Sequence, residues 1–228
     1  MATIKNANSF KAATMHPDFI RFTEGNKKLR DTDAVKFLIF SLPAVSTCPY
    51  ATNACKGACY AKKAERCYPS ARASRAKHLE QSKKDNFVAA AIDSLEAYLK
   101  RAKYADAEKI VVRIHESGDF YSREYMAKWL DIARHFEGRN LVFMAYTKSV
   151  KYIPGLGIPE NFTFRYSIWD DTNADDIALA KALNLPVYTA CYEAEFDAMP
   201  EENRCHCDDC GTCEKCWLAV ELIKCVIH

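Results

Sequence analysis

The sequence predicts an α/β protein whose mainly parallel sheet curls into a partial (β/α) TIM-like barrel, with an open doubly wound parallel sheet as the alternative. Two observations carry that prediction. Short runs rich in β-branched and aromatic residues alternate with amphipathic stretches through the middle of the chain, the pattern of repeated βα units. Five or six such units fit in 228 residues, too few to close an eight-stranded barrel. Residues 1–228 read as a single domain, with cysteine loops 48–67 and 205–216 at the carboxyl edge of the sheet, where function should sit.

Strands are expected at 35–42, 109–114, 141–146, 162–168 and 186–191, as in the runs KIVVRI and FTFRYSI. Between the first two, Phe87, Ala91, Ser94, Leu95 and Tyr98 recur at the spacing of one helical stripe. Tyr125, Trp129, Ile132, Ala133 and Phe136 form a second stripe, and Gly138 is placed to end that helix. Asn173 is a natural N-cap for a helix before the last of these strands. Asp175 and Asp176 fall in its first turn, where the helix dipole favours acids.

Composition excludes several classes. Seven glycines and eight prolines are too few for a collagenous or linker-rich chain. A net charge of +2 supplies no global attraction to nucleic acid or anionic lipid. The opening residues lack an apolar signal-peptide region, and no apolar run approaches the roughly 18 residues of a spanning helix. The expectation is a cytoplasmic protein with no membrane contact. Eleven cysteines then point to metal, because a reducing compartment disfavours disulfides.

The second cysteine loop contains Cys205, Cys207, Cys210, Cys213 and Cys216. Its C-x2-C-x2-C core lets three thiolates converge on one small volume, as in bacterial ferredoxin loops. Three evenly spaced thiolates with a fourth from elsewhere favour a [4Fe-4S] cluster; zinc is the alternative, because C-x2-C pairs also build zinc knuckles. Cys48, Cys55 and Cys59 follow directly on the first strand, so their thiolates should stand over the carboxyl edge. Cys48, Cys55, Cys59, Cys210, Cys213 and Cys216 are therefore the candidate ligands of one shared metal site, with Cys205 and Cys207 beside them. Cys67, Cys191 and Cys225 lack tight spacing and read as small buried hydrophobes.

Polar residues gather just beyond the strands. His115 and Glu116 offer an acid/base pair, while Lys148 and Arg165 can hold a carboxylate or phosphate of a small-molecule substrate. Asp119 either joins them or caps the helix that follows. Ser117, Thr147, Ser167, Tyr192 and Glu193 complete the same mouth. Elsewhere, eight basic residues in 62–84 suggest a nucleic-acid patch, although eight acids in 193–214 can neutralise it internally.

The first loop, the stretch Arg113 to Ser122, the segment Ala145-Tyr146-Thr147-Lys148-Ser149 and the terminal loop ending in Cys216-Trp217 together resemble the bacteriophage gene product 88 family. The resemblance runs over nearly the whole chain. It implies a phage protein of the bacterial cytoplasm, with a radical-SAM-like partial barrel and an iron-sulfur cluster, but it implies no reaction.

Two functional classes follow. The first is a cluster-dependent enzyme on a small molecule, either Lewis-acid and lyase-type or radical-SAM-like. S-adenosylmethionine is weakly supported: Cys55 and Cys59 supply the C-x3-C of that motif, but Lys62 stands where its third cysteine belongs. The second is a non-catalytic, metal-stapled protein that carries electrons or binds nucleic acid or a host factor.

Overall fold

The structure, a computed structural model, describes residues 4–191, 193–205, 210–218 and 222–226. Strands β1 (Val35–Phe40), β2 (Lys109–Ile114), β3 (Leu141–Thr147), β4 (Phe162–Ile168), β5 (Val187–Cys191) and β6 (Leu222–Val226) form one sheet. All pairings are parallel, and the spatial order of the strands is their order in the chain. That order contains no reversal. Right-handed crossovers, the rule between parallel strands, then return on one face, and the sheet curls into a half-barrel. The five expected strands are present. The sixth, LIKCV, is short and interrupted by Lys224, so it shows no unbroken apolar run.

The helices are α1 (Phe10–Thr14), α2 (Asn53–Gly57), α3 (Tyr60–Cys67), α4 (Pro69–Ser82), α5 (Phe87–Leu99), α6 (Ala102–Ala105), α7 (Arg123–His135), α8 (Ala174–Ala182), α9 (Glu193–Asp197) and α10 (Cys210–Cys213). Both predicted stripes are buried, on α5 and α7. Gly138 follows α7 with φ +74, and Asn173 caps α8 by accepting the Asp175 amide. Ser122, not Asp119, caps α7, through the Tyr125 amide. Between β3 and β4 the regular alternation fails, because that connection contains only a 3-10 turn, Val150–Tyr152.

Alternation along the strands sorts the two faces. Leu38, Phe40, Val112, Ile114, Phe143, Ala145 and Phe164 pack on the helices with Phe87, Leu95, Tyr98 and Trp129. Each fully buried Val, Leu, Ile or Phe among them contributes about 1.5–3 kcal/mol. The opposite phase, Phe37, Ile39, Val111, Met144 and Ile223, packs instead on Leu29, Cys216 and Trp217. Arg113, Tyr146 and Arg165 share that inner phase. The C-terminal cysteine loop thus occupies the face that helices would cover in a doubly wound sheet. Among the described residues, no helix is long and apolar enough to cross a membrane.

Candidate active site at the carboxyl edge of the sheet

A cavity of about 740 Å³ opens at the carboxyl ends of β2 to β5. Its wall includes Cys48 and Cys55 from the first cysteine loop, Cys205, Cys210 and Cys216 from the second, and Glu116, Asp119, Lys148, Tyr146 and Trp169 from the strand ends. The two loops, about 150 residues apart in sequence, meet there.

Local bonds hold the first loop over the sheet. Thr52 caps α2 through the Cys55 amide, and Asp171 beyond β4 accepts the Ala54 amide at 2.9 Å. Glu65 accepts the Ala44 amide and pairs with Arg75, tying the end of β1 to α3 and α4. Tyr60 donates to the Glu116 carbonyl. Burial pushes the Cys48 thiol up to about 12, and the nearby Asp119, Cys55 and Cys59 add to the effect. Burial also raises Cys55, and the Lys148 ammonium opposes it.

Arg165 holds the second loop. Its guanidinium donates to the carbonyls of Lys215, Cys216, Leu218 and Val187. It is fully buried and is not part of the cavity wall. The expected anion-holding role gives way to positioning, because the strand's inner phase aims this side chain at the backbone of the loop. Trp217 packs edge-on against Phe37, with ring centroids 5.5 Å apart, and the Tyr146 hydroxyl donates to Cys216 Sγ at 2.8 Å. Burial raises Cys210 to about 12, with Cys216, Cys205 and Cys213 adding to it and Arg113 opposing.

Asp119 and Lys148 form the floor between β2 and β3. Asp119 accepts from the Phe120 amide, the Thr147 hydroxyl and the Lys148 amide. Burial outweighs these bonds and raises its pKa. Gly118 before it has φ +85, and a Cβ there would sit 2.6 Å from Leu42 Cβ and Thr47 Oγ1. Lys148 is 6% exposed and donates to the Ser167 carbonyl at 2.6 Å. Burial pulls its ammonium down to about 8, against the attraction of Cys55, Asp119 and Asp171.

The expected His115–Glu116 acid/base pair is not formed. His115 packs on Phe120 and bonds Tyr125 Oη through Nε2 at 2.9 Å, while burial lowers its pKa to about 3 and keeps it neutral. Its backbone is left-handed, φ +64, which turns successive side chains apart. Both residues nevertheless line the cavity, and there the Glu116 carboxylate accepts from Asn26.

Cys59 and Cys213 are not wall residues, though each lies within electrostatic reach of wall thiols. Cys207 and Tyr192 lie outside the described residues. Cys191 and Cys225 are buried as expected of small hydrophobes, but Cys67 is exposed. Among the described residues, no three His, Cys, Asp or Glu side chains converge closely enough to hold a single metal ion. Sequence reasoning missed Arg113, Asn26, Lys28, Tyr60, Tyr146 and Trp169 as wall residues. For Arg113 and Tyr146 the missed signal was a polar or hydroxyl-bearing residue in the inner phase of a buried strand.

A family model, Gene product 88, matches residues 20–219, a span that contains every cavity-wall residue from Asn26 to Trp217. The chain belongs to the bacteriophage Gene product 88 family. The Gene product 88 segments that suggested this membership all lie within the match. No curated protein and no solved structure matches this Gene product 88 chain.

Proposed function

We propose that the protein binds a [4Fe-4S] cluster at the carboxyl edge of its half-barrel and acts with it, as a Lewis-acid, lyase-type enzyme, on a small molecule in the cavity. One observation carries the reading: Cys48 and Cys55 share a single cavity with Cys205, Cys210 and Cys216. Cys59, Cys207 and Cys213 complete the candidate donor set, two from beside the wall and one outside the described residues.

The donor chemistry fits. Each cysteine loop has a cation beside it, Lys148 at Cys55 and Arg113 at Cys210, which partly offsets the upward push that burial gives those thiols. Arg165 and Trp217 already anchor the second loop, which leaves its thiols unneeded as a staple. When bound, the cluster supplies an iron that polarises a substrate oxygen.

The chain's own residues supply the rest. Lys148, brought down to about 8, exchanges its proton near neutral pH, and Glu116, held by Asn26, offers a carboxylate across the cavity. S-adenosylmethionine is not favoured, because Lys62 replaces the third motif cysteine and lies outside the wall.

Anaerobic purification followed by iron and acid-labile sulfide assay tests the reading. Iron and sulfide in comparable amounts support it; zinc, or no metal, overturns it.

A second reading has its own observation. Lys62, Lys63, Arg66, Arg72 and Lys77 are exposed on α3 and α4, and among the described residues no ion pair joins 62–84 to 193–214. A nucleic-acid-binding role predicts association that weakens steeply with salt.

A further inference from the structure

We infer that the cavity takes its ligand by an oxyanion, a carboxylate or a phosphate, and that Arg113 receives it. The inference deepens the proposed function by naming the chemistry of the substrate, and it rests on that reading only for what happens to the ligand after binding.

Arg113 stands on the inner face of β2, in register with Ile39 of β1 and Met144 of β3, and forms part of the cavity wall. Its guanidinium carbon lies 4.6 Å from the centroid of the Tyr146 ring, which fixes the plane of the fork. Its Nε is buried and has no hydrogen-bond partner. Among the described residues, none of its nitrogens donates to the protein, and no acid lies within ion-pair distance.

The other interior arginines differ. Arg75 is satisfied by Glu65 and the Ala61 carbonyl, and Arg165 by four backbone carbonyls. The neighbours of Arg113 are engaged elsewhere: Glu116 accepts from Asn26, and Cys216 Sγ from Tyr146. Burial opposes the charge on Arg113, but Tyr146, Tyr60, Glu116 and Cys216 favour it more, so the group stays cationic. Arg113 is half-buried, and a guanidinium whose Nε is shut off from solvent without a partner is costly unless something pairs with it. Its fork matches a carboxylate or phosphate in bidentate fashion. Lys28 in the same wall adds positive charge, and Trp169 and Tyr188 offer aromatic surface to the body of the ligand.

Calorimetric titration of the full chain with inorganic phosphate and, separately, with benzoate tests this, with chloride at matched ionic strength as control. Saturable binding of at least one probe is expected, and the probe that binds tells phosphate from carboxylate. R113Q should weaken it at least about tenfold, and R113K, which keeps charge but loses the fork, should also weaken it. Binding of neither probe, or wild-type affinity in R113K, overturns the inference. Should R113Q fail to fold, phenylglyoxal labelling of the wild-type chain gives an independent readout: the bound probe should slow modification of Arg113, and unchanged labelling overturns the inference. Arg113-dependent binding in protein that takes up no iron would sink the cluster and leave this inference standing. Iron-loaded protein that binds neither probe would do the reverse.

Discussion

Asp119 Oδ2 accepts the backbone amide of Lys148 at 2.9 Å, so the loop after β2 and the end of β3 are one mechanical unit. The same carboxylate accepts from Thr147 through Oδ1. Replacing it by alanine leaves a buried hydroxyl and two amides, those of Phe120 and Lys148, unpaired, at about 1–3 kcal/mol each, which release of the buried carboxylate partly offsets. D119A should therefore lower stability by about 2–5 kcal/mol, read as a fall in the urea midpoint. An unchanged midpoint would show that the floor of the cavity does not depend on this link.

Gly118 makes that link possible. Its left-handed backbone costs an L-residue about 1–2 kcal/mol, and the added methyl meets Leu42 and Thr47 at 2.6 Å. G118A should destabilise by about 2–4 kcal/mol. A loss within 0.5 kcal/mol would contradict the packing described around this turn.

The stability of the protein should rise with pH through Lys148. Its folded value is about 8 against an ordinary 10.5, so between the two the unfolded chain binds more protons and folding strengthens as pH increases. The burden on the folded state is full below pH 8 and gone above 10.5. It amounts to about 3 kcal/mol at full extent. Buried thiols with raised values titrate with the opposite sign, so the quantity to measure is the difference between wild type and K148M in denaturant unfolding from pH 7 to 11. That difference should shrink as pH rises; a constant difference contradicts a depressed lysine.

Arg165 should govern the order of the second cysteine loop. R165K cannot bridge the carbonyls of Lys215, Cys216 and Leu218 at once. Hydrogen exchange should speed up at 215–218 and leave α5 protected. Equal exchange in R165K and wild type would remove Arg165 from the positioning role.

Much of the framework was legible because it follows from side-chain period. KIVVRI and FTFRYSI read as strands, and the Phe87 and Tyr125 stripes as helices, since each buries one face in the order the pattern dictates. β6 was not legible because Lys224 interrupts its short run. At the site, spacing pointed to both cysteine loops, but proximity in sequence misled where backbone turns intervene. His115 bonds Tyr125 and Glu116 bonds Asn26 although both line the cavity, and the inner phase of β4 sends Arg165 to the loop backbone rather than the cavity. Arg113 escaped notice because its role depends on what fails to pair with it, which only three-dimensional neighbours reveal.

Iron and acid-labile sulfide per chain, measured in anaerobically purified wild type, C48A and C210A, test the central claim most directly. Both metal and sulfide should be present in wild type and fall in each variant, since one cysteine comes from each loop at the shared cavity. Retention of full iron in C48A alongside its loss in C210A, or zinc as the sole metal in wild type, would contradict the account.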